Sequence, residues 1–375
     1  MRIAFDGKKA AGNRAGLGNY SRFVIECMAK SYPQHEFDVY VGKDNGNPLL
    51  DNIRRYPNVN ICTPTHPVLK HFPALWERFG IPYELKKRGA DIWHGLANVL
   101  PQNIPKAKGV RYVVTIHDLI FLSFPHTYSW ADRHFYNIKF KRACRKADCI
   151  MAVSKCTADD ISKYYNIPRR SIRVVYQGCN PIFRSHCTEE SKKAVCHKYG
   201  LPERYVLSVG TIEERKNTEL IVRALKNFED LDFVLVGRRT KYADIVERLA
   251  DELGVSDRLH ILSGVGTDEL PAIYQSAEIF IYPSKYEGFG IPMLEALCSG
   301  VPAIGATGSC LEEAGGDAAL YTDPEDAEDL TSKIREILGN PTLRNEMIAK
   351  GLAYADKFTD GILARDMMAV YEDVT

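Results

Sequence analysis

One local pattern, written twice, constrains this chain more than anything else: a short apolar run ending in polar residues, then a helix-period stretch. In residues 1–180 the apolar runs are Arg2–Phe5, Phe37–Val41, Asp91–His94, Tyr112–Ile116, Ile150–Val153 and Arg173–Tyr176. Helical patterns such as Asn19–Lys30 separate several of them. Strands alternating with helices predict a parallel sheet with crossover helices. The run Gln177–Ser185, QGCNPIFRS, breaks the pattern with Gly, Asn and Pro and predicts a hinge. The pattern then restarts. Tyr205–Val209, Phe233–Val236, Leu259–Leu262, Ile279–Tyr282 and Ala303–Gly305 read as strands, and Asn217–Asn227 and Tyr242–Leu253 as helices. Asp323-Pro324 reads as a further helix start.

The expectation is an α/β chain of two doubly wound, Rossmann-like domains, 1–180 and 181–357. A last helix, about 358–375, carries a stripe of Leu363, Met367, Met368, Val370 and Tyr371 that must pack, and the first domain is its expected partner. Two such domains facing a cleft would suit a small molecule. The length, 375 residues with 45% hydrophobic and 26% charged, agrees with two globular domains.

Composition excludes several classes. No run approaches the roughly 20 apolar residues of a membrane helix, and MRIAFDGKKAAG is too quickly polar for a secretory signal. The ten cysteines form no CxxC pair and have no histidine partners at finger spacing, so they read as reduced core thiols. A cytoplasmic protein without structural zinc is expected. The net charge of +1 hides an asymmetry: residues 1–180 hold 28 Lys+Arg against 14 Asp+Glu, the remainder 21 against 34. A basic half suits an anionic partner, such as a phosphate-bearing acceptor or a membrane surface. The other reading is that opposite charges only dock the two halves. The segments His66–Gly89 and Arg133–Lys146, where basic residues alternate with Phe, Trp and Tyr, favour the membrane. Docking would then be peripheral, on the inner face of the cell membrane.

The segment Ser284–Gly300, SKYEGFGIPMLEALCSG, carries the most chemistry. If a helix begins at Ile291, its N-terminus is a natural diphosphate site, with Gly288 and Gly290 allowing close backbone approach. Glu287 would then sit on the loop before that helix and Glu295 one turn inside it, where a carboxylate can accept from two vicinal ribose hydroxyls. Asp230-Leu231-Asp232 resembles a metal-binding DxD, but it precedes a strand and reads as a solvated loop.

Glu287 through Glu295 matches the E-x7-E signature of retaining glycosyltransferases of the GT-B fold. The chain resembles glycosyltransferase family 4 in particular, a family with many bacterial mannosyl- and glucosyltransferases. The resemblance spans nearly the whole chain through GLGNY (Gly16–Tyr20), VTIHDL (Val114–Leu119), AVS (Ala152–Ser154), VGTIEERKN (Val209–Asn217) and LSGVGTDELPAIY (Leu262–Tyr274).

The resemblance implies that Glu287 contacts the transferred sugar and Glu295 the nucleotide ribose. Backbone amides of Phe289, Gly290 and Ile291 would meet the diphosphate and sugar, as would the Gly16–Gly18 loop the phosphates. Lys216 and Arg215 would neutralise the leaving diphosphate, replacing a divalent metal; the other reading of that pair is a solvated loop. Many relatives carry Arg where this chain has Thr211, directly after Gly210, and Arg215 could supply that charge. Val265 and Leu270 match positions beside the nucleobase, or are plain core residues. His117 would hydrogen-bond the donor sugar, with Asp118 beside it, and Ser154 either nears the acceptor phosphate or caps a helix.

The implied activity is metal-independent, retaining hexosyl transfer, mannose from GDP-mannose first, to a glycan or lipid-linked acceptor. The nucleotide sugar is then a co-substrate, and no cofactor, metal or nucleic acid is expected. Alternatives are a UDP-sugar donor, a GT-B sugar-nucleotide 2-epimerase, or a non-catalytic nucleotide-sugar-binding module. A dehydrogenase is disfavoured because its third fingerprint glycine would fall at Ser21.

Overall fold

Strands that are apolar along their whole length need cover on both faces, and crossover helices between parallel strands supply it. The computed structural model describes residues 1–66, 69–101 and 109–375 and contains two such sheets. The first is built from β1 (Arg2–Asp6), β2 (Glu36–Tyr40), β3 (Val59–Cys62), β4 (Ile92–Gly95), β5 (Arg111–Ile116), β6 (Cys149–Ala152) and β7 (Ile172–Val174). Their order is β3-β2-β1-β4-β5-β6-β7, all parallel. The second contains β8 (Tyr205–Val209), β9 (Asp232–Val236), β10 (Leu259–Leu262), β11 (Ile279–Tyr282), β12 (Ala303–Ala306) and β13 (Leu320–Thr322). Its order, β10-β9-β8-β11-β12-β13, repeats the same winding.

The chain divides into one unit of Met1–Gln177 with Asp360–Thr375 and a second of Gly178–Thr359. In the first unit, Ile3, Phe5, Val39 and Ile92 from the sheet meet Val24 and Met28 of the helix Gly16–Ser31. The helix Asp360–Val374 completes that core with Leu363, Met367, Met368 and Tyr371, all buried. The second unit has its own core around Val206, Phe233, Leu235, Ile279 and Ile304. Among the described residues no helix is long and apolar enough to cross a membrane.

Two local expectations need correction. GLGNY is not a loop but the first turn of the helix Gly16–Ser31, and a short helix, Lys8–Gly12, precedes it. A Cβ on Gly18 would lie 1.8 Å from the Asn13 carbonyl oxygen, so glycine there lets the preceding loop fold onto the helix. Glycine's low helix propensity hid that start. The helix expected at Asp323-Pro324 begins at Ala327 instead, capped by Asp326, whose carboxylate accepts from the amides of Glu328 and Asp329 at 2.9 and 3.0 Å. Strands β3 and β13 escape the sequence reading because VNIC and LYT are short and carry polar residues.

Candidate active site

In the second sheet the winding reverses between β8 and β11, so loops leaving their carboxyl ends start from neighbouring strands. Ligands of open α/β sheets bind at such switch points. The first loop runs from Gly210 through Thr211 to a 3-10 turn, Glu214–Lys216. Asn217 ends that turn in the left-handed region, φ 57°. Its side-chain amide donates to the carbonyls of Pro283 (3.2 Å) and Pro324 (2.7 Å), which pins the first loop to the second.

Glu287 lies on that second loop, and its Oε1 collects three partners. Lys216 Nζ stands at 2.6 Å, the Arg215 guanidinium at 2.8 Å and the Ser284 hydroxyl at 2.6 Å. The three charged side chains are only 10–12% exposed, so neither the cationic pair nor Glu287 is a solvated surface group. Burial alone would raise the Glu287 carboxyl, but Lys216 and Arg215 outweigh it and hold the pKa at about 2. Burial also pulls the Lys216 ammonium below its ordinary range, with Glu287 pulling the other way. Lys216 donates to the Tyr282 hydroxyl at the end of β11 and lies over that ring at 4.8 Å. Arg215 also pairs with Glu213 and donates to the Tyr286 carbonyl at 2.6 Å.

The helix predicted at Ile291 spans Ile291–Cys298, with Gly290 as its N-cap at φ +117°. A side chain there would be strained and would also strike Leu311 at 2.7 Å. Gly288 is half-buried, while the Phe289 side chain is buried against Phe358, leaving only its backbone to meet a ligand. Glu295, inside the helix, accepts from the Tyr274 hydroxyl at 3.0 Å. Burial raises its carboxyl to about 7, with the Tyr274 bond pulling down. Val265 and Leu270 are half-buried and so are not core residues. Tyr274, Tyr282, Ser284 and Asn217 carry no role in the sequence reading, although all four fall within or close to quoted motifs. The DxD aspartates are otherwise engaged: Asp230 pairs with Arg204, and Asp232 with His260 at 2.9 Å.

In the first unit, His117 follows β5 and is 6% exposed. Its Nε2 bonds the Leu96 carbonyl at 2.8 Å, so that nitrogen carries the proton and donates. Nδ1 is then an acceptor, facing the Gln177 amide nitrogen at 3.3 Å. Burial lowers the pKa to about 4, keeping the ring neutral near pH 7. Tyr20 meets the ring edge-to-face at 4.5 Å, and the backbone N–H of His117 donates to Asn98 Oδ1 at 2.6 Å. Asp118 accepts from the Ile120 amide at 3.2 Å. Ser154 caps the helix Lys155–Tyr165 through the Thr157 amide at 3.0 Å, the capping alternative of its two readings. Gly16, at the helix start, has open space where a Cβ would point.

Two parallel sheets wound 3-2-1-4-5-6, the first extended by a seventh strand, with a buried cation pair and a glycine-capped helix at the second switch point, define a GT-B glycosyltransferase. Residues 15–182 match the model of Glycosyltransferase Family 4, and residues 195–353 that of Glycosyl transferases group 1. The chain belongs to glycosyltransferase family 4. It is 27% identical to O-antigen chain mannosyltransferase B of Escherichia coli, over 96% of each chain. It is 28% identical to O-antigen chain mannosyltransferase RfbU of Salmonella typhimurium, over 60% of each. Among solved structures, HepE of Anabaena in complex with UDP-glucose superposes with a TM-score of 0.78 at 16% identity, covering 100% of both chains. Sucrose-phosphate synthase of Thermosynechococcus elongatus gives 0.78 at 21% identity, covering 100% of this chain and 99% of that one.

Proposed function

We propose that this enzyme transfers mannose from GDP-mannose, with retention and without a metal, to a lipid-linked glycan during cell-surface polysaccharide synthesis. The observation that carries the reading is the Arg215–Lys216–Glu287 cluster at the switch point of the second sheet. Fixed, buried cations stabilise the charge that builds on the β-phosphate as the anomeric bond breaks. In this reading Glu287 meets the sugar hydroxyls, Glu295 the ribose, and the amides around Gly290 the diphosphate. His117 offers Nδ1 as a neutral acceptor, a hydroxyl of the transferred sugar taking the place of the Gln177 amide at that nitrogen. The acceptor oxygen attacks the anomeric carbon from the face the diphosphate leaves, and the leaving phosphate oxygen takes its proton.

The O-antigen mannosyltransferases among the relatives support mannose as the sugar and a polysaccharide as the product. A cytoplasmic location, peripheral on the inner membrane face, follows for an enzyme that draws on cytoplasmic nucleotide sugars and a lipid acceptor. The test is thermal stabilisation by GDP-mannose against UDP-glucose, UDP-galactose and UDP-N-acetylglucosamine. A donor at 100 times its Kd adds about 2.7 kcal/mol. GDP-mannose should stabilise most, and NMR of the product should show the donor's anomeric configuration. Preferential stabilisation by a UDP-sugar would overturn the donor, and an inverted product the mechanism.

A further inference from the structure

In the first unit, a cavity of about 580 Å³ opens beside the segment Leu69–Arg88, and none of its lining residues belongs to the clusters described above. That volume lies within the roughly 300–1,000 Å³ of small-molecule sites. Leu69, Trp76, Phe79 and Tyr83 give it apolar walls. Trp76–Gly80 is a π-helical turn closed by the Ile81 N–H on the Trp76 carbonyl, a distortion that often marks a functional site.

The mouth is unusual for a water-facing surface. Phe79 and Tyr83, which line the cavity, are 56% and 67% exposed, and Phe72 and Leu75 on the same segment are 52% and 41% exposed. Residues 66–89 carry five Lys+Arg against two Asp+Glu, although residues 67 and 68 lie outside the described residues. Lys87, Arg88 and Glu84 line the cavity; Arg88 is committed to Asp38 at 2.6 Å, which leaves Lys87 as the exposed cation among the described lining residues, with Lys86 exposed beside it in the chain. The helix Trp130–Lys146 extends the same character. It exposes Trp130, Phe135 and Ile138 and holds six basic residues over 133–146 with no acidic one.

A largely apolar slot with exposed aromatics and a lysine in its lining matches a ligand with a hydrophobic chain and an anionic head. We infer that this cavity binds the isoprenoid chain of a polyprenyl-phosphate acceptor, with Lys87 and the adjacent Lys86 serving its phosphate. The inference rests on the lipid-linked acceptor proposed above and adds where its chain is held.

Calorimetric titration of the whole protein with farnesyl monophosphate, a short soluble polyprenyl phosphate, tests it. Farnesol, inorganic phosphate and dodecyl phosphate serve as comparisons, together with phospholipid vesicles free of polyprenyl phosphate. Farnesyl monophosphate should bind at least ten times more tightly than each small-molecule comparison. Leu69→Trp, which fills the slot, and the surface pair Lys86→Glu with Lys87→Glu should each weaken it at least tenfold. Slow hydrolysis of the donor sugar, which does not use the slot, should be unchanged in these variants. No binding by wild type, equal binding by the variants, or dodecyl phosphate binding as tightly would overturn the site. Binding to the plain vesicles that survives Leu69→Trp would assign the patch to bulk membrane instead. Loss of all donor hydrolysis in wild type would count against the proposed function while leaving the farnesyl result to judge the cavity.

Discussion

Lys216 Nζ lies 2.6 Å from Glu287 Oε1, and both side chains are almost withdrawn from solvent. The carboxylate read as the sugar contact is therefore also the counter-ion of the cations read as the diphosphate contact. Without donor, Glu287 neutralises them; with donor, the diphosphate can share that role.

Replacing Glu287 should separate these two jobs. Glu287→Gln leaves Arg215 and Lys216 buried without their full counter-charge, which costs about 3–5 kcal/mol when a buried pair is broken. Transfer should fall below detection, while GDP binds as tightly as to wild type or more tightly, because its phosphates replace the missing charge. Calorimetry with GDP beside a transfer assay reads both. Parallel loss of GDP binding and transfer would remove Glu287 from the sugar.

Lys216→Ala should lower turnover on the order of 100-fold or more, the scale of losing one preorganised charge stabiliser. The same cation pair predicts that activity survives EDTA. Near-normal turnover in the variant would move the role to Arg215. Activity abolished by chelation and restored by manganese would refute metal independence.

The first unit makes a stability prediction. Tyr371 Oη, on the last helix, bonds His94 Nδ1 at 2.6 Å, and Thr115 Oγ1 holds the other ring nitrogen at 2.8 Å. Burial keeps His94 neutral, its pKa pulled down to about 3. Tyr371→Phe leaves a buried ring nitrogen without its partner and should cost about 1–3 kcal/mol. Urea denaturation measures it; an unchanged midpoint would mean that the helix is held by its apolar stripe alone.

That bond also shows where sequence reading stops. Periodicity exposes the strands, because a parallel sheet buried on both faces writes itself as apolar runs. The spacing of Glu287 and Glu295 is legible because both belong to one loop and the helix after it. The partners of these residues are not. Lys216 meets Glu287 across 71 positions and Tyr371 meets His94 across 277, because strand order decides those meetings and no local pattern encodes it. Tyr274, the partner of Glu295, looks like any aromatic on an apolar helix face until β11 and the helix Ile291–Cys298 are beside it. Ser154 was ambiguous for a related reason: a hydroxyl that caps a helix and one that meets a ligand present the same residue at the same strand end.

The carboxyl of Glu295 sets the last prediction. Its pKa of about 7 in the folded chain stands above the ordinary 4.5, with burial as the first cause. The folded state thus holds a proton that the unfolded chain has released. The associated stability is present below about pH 4.5 and is lost as pH rises through about 7, amounting to about 3 kcal/mol. Ribose hydroxyls donate to a carboxylate, so nucleotide binding should follow the opposite trend. GDP affinity should rise with pH up to about 7 and level off above it, each unit below costing up to roughly tenfold. Glu295→Gln carries no titrating side chain and should bind weakly, keeping only the shallower pH dependence of the terminal phosphate of GDP, whose second ionisation lies at about 6. Calorimetry with GDP at about pH 6 and about pH 8 decides the matter. A wild-type affinity that is flat across that range, or a glutamine variant that keeps the wild-type slope, would take Glu295 away from the ribose.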